Sequence, residues 1–262
     1  MYKPIHNTLI IGKKLIYLPS CHSTNDIAAE LVLNGLVEEG AVVITDNQTG
    51  GKGQRGTKWI SEPSQNLMLS VILRPNFLPV AEQFLISQMV ALAIYDYLSF
   101  YTNDVKIKWP NDIYISSKKV SGTLIENSIQ GAAISSSVVG IGINMNQTVF
   151  ETLRSTSLAL EAGINVNLRQ EFEKFAQVLD AGYLRLKSMK NNQMIRDLYL
   201  KNLYGYQKPV TFKYQNEKVI GVVTGIENNG RLLVKITGRP GIYDFGLKEI
   251  EWVWDELSTP FS

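Results

Sequence analysis

The sequence predicts an α+β protein in which helices flank a mixed β-sheet and a small antiparallel β-barrel follows. Two observations support this fold class. Apolar segments of strand length alternate with segments of helical period as far as residue 203, and from Gln207 onward short strands are separated by turn signals about every 8–12 residues. The pattern changes near Tyr204, so we predict one domain at residues 1–205 and a second at residues 206–262.

The predicted strands of the first domain are runs rich in valine, isoleucine and leucine that end at proline, glycine or polar residues. They cover residues 15–18, 40–45, 66–74, 105–108, 113–115, 118–126 and 133–144. Helices are predicted at residues 27–33, 84–101, 172–186 and 194–203, where apolar residues recur at helical spacing. The barrel strands are predicted at residues 209–214, 219–226, 231–236 and 242–245.

The composition narrows the class of protein. With 26 Lys and Arg against 24 Asp and Glu, the net charge is +2, which gives little reason to expect DNA as a partner. A single cysteine excludes an intramolecular disulfide and fits a reducing compartment. No apolar run approaches the ~20 residues of a membrane span, and the N-terminus does not resemble a signal peptide. We therefore expect a cytoplasmic protein that binds neither a membrane nor DNA.

The stretch at residues 48–59 contains four glycines, two lysines and one arginine. Such a backbone offers unhindered N–H groups and positive charge to an anion, which favours a phosphate-bearing ligand. The dinucleotide-binding and P-loop motifs do not apply, because Pro63 interrupts the helix that the first requires and Thr57 stands where the second needs lysine. A surface loop without a ligand remains the alternative.

Two further stretches place polar groups where strands or helices end. Ser23 and Thr24 precede an apolar helix, where they either cap the helix or face a ligand. Lys108, Asn111 and Asp112 supply a cation, an amide and a carboxylate at one corner. That set suits a magnesium nucleotide, although the sequence Pro-Asn-Asp also suits an ordinary turn.

Gly140 and Gly142 lie two residues apart on one predicted strand, so one face of the sheet carries no side chains there. Either a flat ligand lies on that face, or the glycines mark a tightly packed helix or a bulge, and for isolated glycines packing or a bulge is the favoured interpretation. His22 lies beside the single cysteine, Cys21, but His6 is the only other histidine, which argues against a zinc cluster.

Taken together, and in the order in which they occur along the chain, these motifs resemble those of the biotin protein ligase family. The resemblance extends from the first strand to the barrel and rests on Ser23-Thr24-Asn25, residues 48–59, Lys108-Trp109-Pro110-Asn111-Asp112, Lys119-x-x-Gly122 and Gly140-x-Gly142-x-Asn144. It implies a class II synthetase-like fold with an SH3-like C-terminal barrel. It also implies that ATP and Mg²⁺ activate biotin as biotinyl-5'-AMP and that a lysine of a biotin carboxyl carrier protein accepts the biotinyl group. A homodimer is compatible with this resemblance.

The resemblance also implies a role for individual residues of this chain. Catalytic roles fall to Lys119, Arg55 and Asp112. Biotin binding falls to Ser23, Thr24, Asn25, Gln48, Gly51, Lys52 and Gly122. Binding of ATP and the adenylate falls to Gly53, Gln54, Arg55, Gly56, Trp59, Lys108, Asn111 and Asn144. No dedicated metal ligand is implied, because Mg²⁺ is bound mainly through ATP.

Two departures from the family pattern affect the expected chemistry. Lys52 and Gln54 stand where family members commonly have arginine, so a bidentate phosphate clamp is replaced by a point charge and an amide. Few residues precede the first strand, so we expect the ligase-only class, which lacks an N-terminal DNA-binding domain. The rival hypotheses are a lipoate ligase, whose motifs are absent, and a regulator that binds biotinyl-adenylate without catalysis.

The glycine content of residues 48–59 generates a prediction about ligand-induced order. Glycines cost conformational entropy when they become ordered, and ligand contacts can offset that cost. Protease cleavage near Lys52 or Arg55 should therefore slow when biotinyl-5'-AMP is added, as measured by the rate of fragment formation. An unchanged cleavage rate would indicate a loop that is already formed.

Overall fold

In the computed structural model, which describes residues 2–188 and 192–253, a seven-stranded mixed sheet forms the centre of the protein. Its strands are β1 (Leu15–Leu18), β2 (Val42–Thr45), β3 (Asn66–Leu73), β4 (Val105–Lys108), β5 (Asp112–Ile115), β6 (Lys118–Gln130) and β7 (Ala133–Asn144). They lie in the order β1-β2-β3-β7-β6-β5-β4. The pair β1–β2 is parallel and the other neighbours are antiparallel.

Helices cover both faces of this sheet. They are α1 (Thr24–Leu33), α2 (Phe84–Leu98), α3 (Leu158–Ala162), α4 (Leu168–Ser188) and α5 (Gln193–Asn202). Alternation along β2 shows how the two faces differ, since Val42 and Ile44 belong to the large core with α2 and α4. Val43 points the other way and packs in a smaller cluster with Ala28 of α1. The helix α1 therefore packs on the face opposite α2 and α4, which is also the face that carries the candidate site.

The C-terminal part of the chain forms a separate antiparallel sheet. Its strands are β8 (Pro209–Tyr214), β9 (Glu217–Ile226), β10 (Leu232–Ile236), β11 (Tyr243–Phe245) and β12 (Glu251–Trp252), in the order β11-β10-β9-β8-β12. The indole of Trp109 donates to the carbonyl of Gly230 at 2.8 Å and packs against Trp252 with ring centroids 6.3 Å apart. These contacts place the C-terminal sheet against the turn between β4 and β5. Residues 254–262 of the predicted second domain lie outside the described residues.

The predicted fold class is confirmed: a mixed sheet with helices on both faces precedes a small antiparallel β-unit. Each predicted strand and helix is present, with boundaries that differ by a few residues. The sequence analysis missed α3, which is only five residues long and lies between Ser157 as its N-cap and Gly163 at φ +68°. It also missed β12, a two-residue strand that exists only through its pairing with β8.

Within the described part of the chain, no helix is long and apolar enough to cross a membrane.

Candidate active site

A cavity of about 380 Å³ opens on the α1 side of the central sheet. Its walls are the start of α1, the glycine-rich residues 52–59, the turn between β4 and β5, and residues 247–252 of the C-terminal unit. Its floor is formed by β6 and β7 at Gly122, Gly140 and Gly142. Strand ends, a helix N-terminus and the second unit therefore meet at one place.

One end of the cavity is lined by neutral hydroxyl and amide side chains in a hydrogen-bonded network that the carboxylate of Glu126 anchors from outside the cavity lining. Gln48 accepts from the backbone N–H of Thr24 at 2.8 Å and from its hydroxyl at 3.2 Å. The hydroxyl of Ser70 on β3 hydrogen-bonds to Thr24 Oγ1 at 2.8 Å and to Asn25 Oδ1 at 2.6 Å. The amide nitrogen of Asn25 donates to the carboxylate of Glu126 at 2.8 Å. Because Thr24, Asn25 and Ser70 are buried, these bonds hold the start of α1 rigidly against β3.

Ser23 illustrates that capping and lining the cavity are compatible roles. Its side chain accepts from the backbone N–H of Asp26 at 3.4 Å, which makes it the N-cap of α1. The same residue is 1% exposed and lines the cavity. The capping interpretation of Ser23 is therefore confirmed, and it does not exclude contact with a ligand.

The floor of the cavity is bare because three glycines lie together in register. Gly142 pairs with Gly122 on β6 and with Met68 on β3, while Gly140 pairs with Leu124 and Ser70. A Cβ added at Gly142 would lie 2.5 Å from two ring carbons of Trp59, and a Cβ at Gly140 would overlap Asn25. Packing by α1 is thus confirmed for Gly140, whereas the flat group over Gly142 is the indole of Trp59.

Lys119 and Gly122 lie on the same face of β6 because of a β-bulge. Ile113 of β5 pairs with Ser121 and Tyr114 pairs with Lys119, so one extra residue of β6 is inserted between the two pairs. Without the bulge, residues three apart on a strand would face opposite sides. A Cβ at Gly122 would lie 3.0 Å from Nζ of Lys119, so the glycine leaves room for this ammonium.

The second end of the cavity is cationic. Nζ of Lys119 lies 2.7 Å from Oδ1 of Asp112 and 5.9 Å from the ring of Trp59. Burial lowers the pKa of Lys108; nearby Asp112 opposes this shift, and Lys119 and Arg154 add to it. Lys108 also lies over the ring of Tyr114, with its Nζ 5.4 Å from the centroid. Several positive groups thus converge around Asp112, and Glu251 is a second carboxylate in the lining.

The rim of the cavity contains another ion pair. Nζ of Lys52 lies 2.7 Å from Oδ1 of Asp26, and His22 pairs with the other oxygen of that carboxylate. Burial raises the pKa of Asp26, but the hydrogen bonds from Lys52 and His22 outweigh it, so the pKa is lowered. A backbone hydrogen bond also joins the two ends of the glycine-rich stretch, since the main-chain N–H of Trp59 donates to the carbonyl of Gly51 at 2.9 Å.

Most of the residues predicted to bind ligands line this one cavity. These are Ser23, Thr24, Asn25, Gln48, Lys52, Gly53, Gln54, Trp59, Lys108, Asn111, Asp112, Lys119 and Gly122. Gly51, Gly56 and Asn144 do not line it, and the side chain of Arg55 lies outside what the structure describes. Asn144 is buried and donates to Thr156 O at 2.9 Å, while its Oδ1 has no hydrogen-bond partner within the described residues.

Sequence reasoning missed several contributors to the site. Ser70 lies in an apolar strand, where an isolated serine is an unremarkable residue, and only its register against Gly140 reveals its place. Arg154 follows the last recognised motif by ten residues and carries no motif of its own. Trp252 and the rest of residues 247–252 reach the cavity through the packing of the C-terminal unit, for which no local sequence signal exists.

The Biotin/lipoate A/B protein ligase family model matches residues 17–144, which span β1 to β7 and include every motif discussed above. Over these residues the chain is similar to this family.

The relatives that the chain resembles include a bifunctional ligase/repressor and a biotin ligase. It is 36% identical over 141 residues to the bifunctional ligase/repressor BirA of Bacillus spizizenii, covering 53% of this chain and 43% of that protein. It is 28% identical over 209 residues to the biotin–[acetyl-CoA-carboxylase] ligase of Paracoccus denitrificans, covering 74% of this chain and 84% of that protein. The chain thus spans less than half the length of the Bacillus relative.

Among solved structures, the chain is similar to the biotin protein ligase of Aquifex aeolicus in complex with biotin and ATP. The TM-score is 0.75 at 26% identity, and the match covers 91% of this chain and 98% of the other. The likeness therefore includes the C-terminal unit, which lies beyond the residues matched by the family model.

The contact between Trp59 and Gly142 generates a prediction. Gly142→Ala should expel the indole from the cavity floor, lower the free energy of unfolding by about 1–3 kcal/mol through overpacking, and shift tryptophan emission to the red. In a Trp59→Phe background the emission shift should disappear. Gly225→Ala is the matched control, because a Cβ there would meet only Leu233 at 3.6 Å. Identical spectra for the two alanine variants would contradict the assignment.

Proposed function

We propose that the chain is an ATP-dependent biotin protein ligase, which activates biotin as biotinyl-5'-AMP and passes the biotinyl group to a lysine of a biotin carboxyl carrier protein. The main support is the chemistry of the cavity. A neutral hydrogen-bonding end around Thr24 and Gln48 lies beside a cationic end around Lys108 and Lys119. Biotin has a neutral ureido ring at one end and a carboxylate at the other, so it matches both ends.

The proposed roles are those that the family resemblance implies, and for most of these residues a place in the lining of the cavity supports them. The ureido ring is bound by Ser23, Thr24, Asn25 and Gln48, with Gly51, Lys52 and Gly122 completing the biotin site. In support, Nε2 of Gln48 has no hydrogen-bond partner among the described residues and so is available to a ligand. ATP and the adenylate are bound by Gly53, Gln54, Arg55, Gly56, Trp59, Lys108, Asn111 and Asn144. Asn111 acts by fixing the β4–β5 turn, since its amide donates to Thr123.

The two half-reactions use the cationic end differently. In the first, a biotin carboxylate oxygen attacks the α-phosphorus of ATP and the bond to pyrophosphate breaks. Both reactants are anions, so Lys119, with Lys108 and Arg55, stabilises the charge that accumulates in the transition state. Asp112 positions the ammonium of Lys119 at 2.7 Å. In the second, the acceptor amine forms an amide with the biotinyl carbonyl, and AMP leaves as the amine loses its proton.

Magnesium is assigned to the nucleotide in this proposal. Within residues 2–188 and 192–253, no group of three or more His, Cys, Asp or Glu side chains is arranged to hold a metal ion. The carboxylates that line the described cavity are Asp112 and Glu251, and Asp112 is already paired with Lys119. These residues fit an ion held mainly by phosphate oxygens. When bound, Mg²⁺ would neutralise phosphate charge.

The rest of the proposal concerns organisation and location. We assign biotin and ATP binding to a catalytic domain at residues 1–205 and an SH3-like domain to residues 206–262. A reducing, cytoplasmic location suits the single free cysteine, Cys21, and a homodimer is compatible with the fold. A lipoate ligase is the second candidate because the family model covers both activities.

Lys119 provides a direct test of catalysis. Lys119→Ala should slow adenylate formation by ~10²–10³-fold, because a preorganised contact to the transition state is lost, with little change in melting temperature. Lys118→Ala is the matched control, since Lys118 is about half exposed and lies 4.0 Å from Glu161, away from the cavity. The readout is pyrophosphate release and adenylate mass in single turnover. Equal, small effects of the two substitutions would remove Lys119 from the mechanism.

Substrate choice provides the test of function. With ATP and Mg²⁺, biotin should support pyrophosphate release at least ~10–100-fold better than lipoate, because a dithiolane ring leaves the polar groups around Gln48 without partners. The measurement is kcat/KM for each acid with the same preparation of protein. Equal or faster turnover with lipoate would favour the lipoate ligase, and adenylate binding without turnover would favour a regulator.

A further inference from the structure

The segment at residues 154–156 runs beside Lys119 and is tied to it by its backbone. The amide of Lys119 donates to the carbonyl of Arg154 at 2.8 Å, and the amide of Thr156 donates to the carbonyl of Lys119 at 2.9 Å. At the end of β7, the side-chain amide of Asn144 donates to the carbonyl of Thr156 at 2.9 Å. Two motif residues therefore fix the position from which the side chain of Arg154 extends.

Arg154 lines the cationic end of the cavity and is exposed at its rim. No ion pair joins its guanidinium to a carboxylate in residues 2–188 and 192–253. In contrast, Lys52 is paired with Asp26 and Lys119 with Asp112. Arg154 thus presents to the cavity a permanent positive charge that forms no ion pair with a described carboxylate. Lys58 and Lys248 also line the cavity, but no backbone hydrogen bond ties either one to Lys119.

Guanidinium geometry indicates which anion this residue suits. Its planar array of five donors binds phosphate oxygens in pairs and does not lose its proton. Lys119 lies deeper, 32% exposed and in contact with Asp112 beside the glycine floor, where the proposed reaction brings carboxylate and α-phosphate together. Arg154 is exposed at the rim of the same cavity, so a polyphosphate whose α-phosphate lies at Lys119 can extend outward to its guanidinium.

We infer that Arg154 binds the part of ATP that leaves as pyrophosphate and therefore acts in the first half-reaction but not in the second. This inference rests on the proposed ligase function. After pyrophosphate has left, biotinyl-5'-AMP retains only its α-phosphate, so the acceptor amine reacts with no further contribution from Arg154.

The test compares the two half-reactions in Arg154→Gln. The KM for ATP should rise about 10–100-fold, the range for loss of a charge-assisted hydrogen bond. The rate of biotin transfer from supplied biotinyl-5'-AMP to the carrier protein, and the Kd for biotin, should stay within ~2-fold of the unsubstituted protein. Arg154→Lys should recover part of the loss in KM. Arg169→Gln, an exposed arginine outside the cavity, is the control and should change none of these quantities.

Direct binding separates a failure of this inference from a failure of the proposed function. Pyrophosphate titrated calorimetrically into the whole protein should bind more weakly to Arg154→Gln than to the unsubstituted chain, whether or not turnover occurs. Unchanged pyrophosphate affinity and unchanged KM for ATP would assign Arg154 to the solvated surface. A transfer rate that falls as much as adenylate formation would show that Arg154 acts on the adenylate itself and would overturn the inference. If the unsubstituted protein binds pyrophosphate but does not turn over biotin, the ligase function alone fails.

Discussion

The bare face of the sheet at Gly122, Gly140 and Gly142 is the constraint on which the rest of the site depends. Antiparallel register places Gly142 beside Gly122, so the missing side chains form one continuous patch. Three separate parts of the chain occupy that patch: Asn25 from α1, Trp59 from the glycine-rich stretch and Lys119 from β6 itself. A single added methyl group would displace one of them, because packed interiors leave no spare volume. The cavity therefore exists because these three positions of the sheet carry no side chains.

Charge in this protein is local. The net charge of +2 hides a concentration of lysine and arginine around one cavity, where the described carboxylates are few. Two of those lysines are held by carboxylates at 2.7 Å, which keeps them in place while the site is without an anion. Pairs this exposed are worth little as a source of stability. Their value lies in orientation, since a fixed ammonium needs little reorganisation when negative charge develops beside it.

The C-terminal unit takes part in the site through its packing. Trp252 lies against both Trp109 and Phe212, with ring centroids 6.3 Å and 5.1 Å away, and also lines the cavity. The hydrogen bond from Trp109 to Gly230 and the bond from Tyr199 to Pro110 O at 2.8 Å hold the β4–β5 turn from two sides. The turn that carries Asn111 and Asp112 thus depends on the packing of α5 and of the second sheet. Such aromatic contacts combine large buried area with specific geometry.

The sequence by itself determined the class of fold and much of the residue content of the site. Strand and helix periods are local properties, and the glycine-rich stretch, the Lys-Trp-Pro-Asn-Asp corner and the paired glycines of β7 are visible without coordinates. Packing against a neighbouring element at Gly140, which isolated strand glycines usually admit, is also predicted by the sequence and confirmed by its contact with Asn25.

Only the tertiary structure decided which of these residues meet. Simple alternation would place Lys119 and Gly122 on opposite faces, and the bulge in β6, which arises from its pairing with β5, brings them together. Ser70 and Arg154 have no sequence signal, since their roles come from register with Gly140 and from hydrogen bonds to Lys119 across a long separation in the chain. Local propensity reports the periodicity of one segment, whereas the site is made by contacts between segments, which register, bulges and side-chain volume settle.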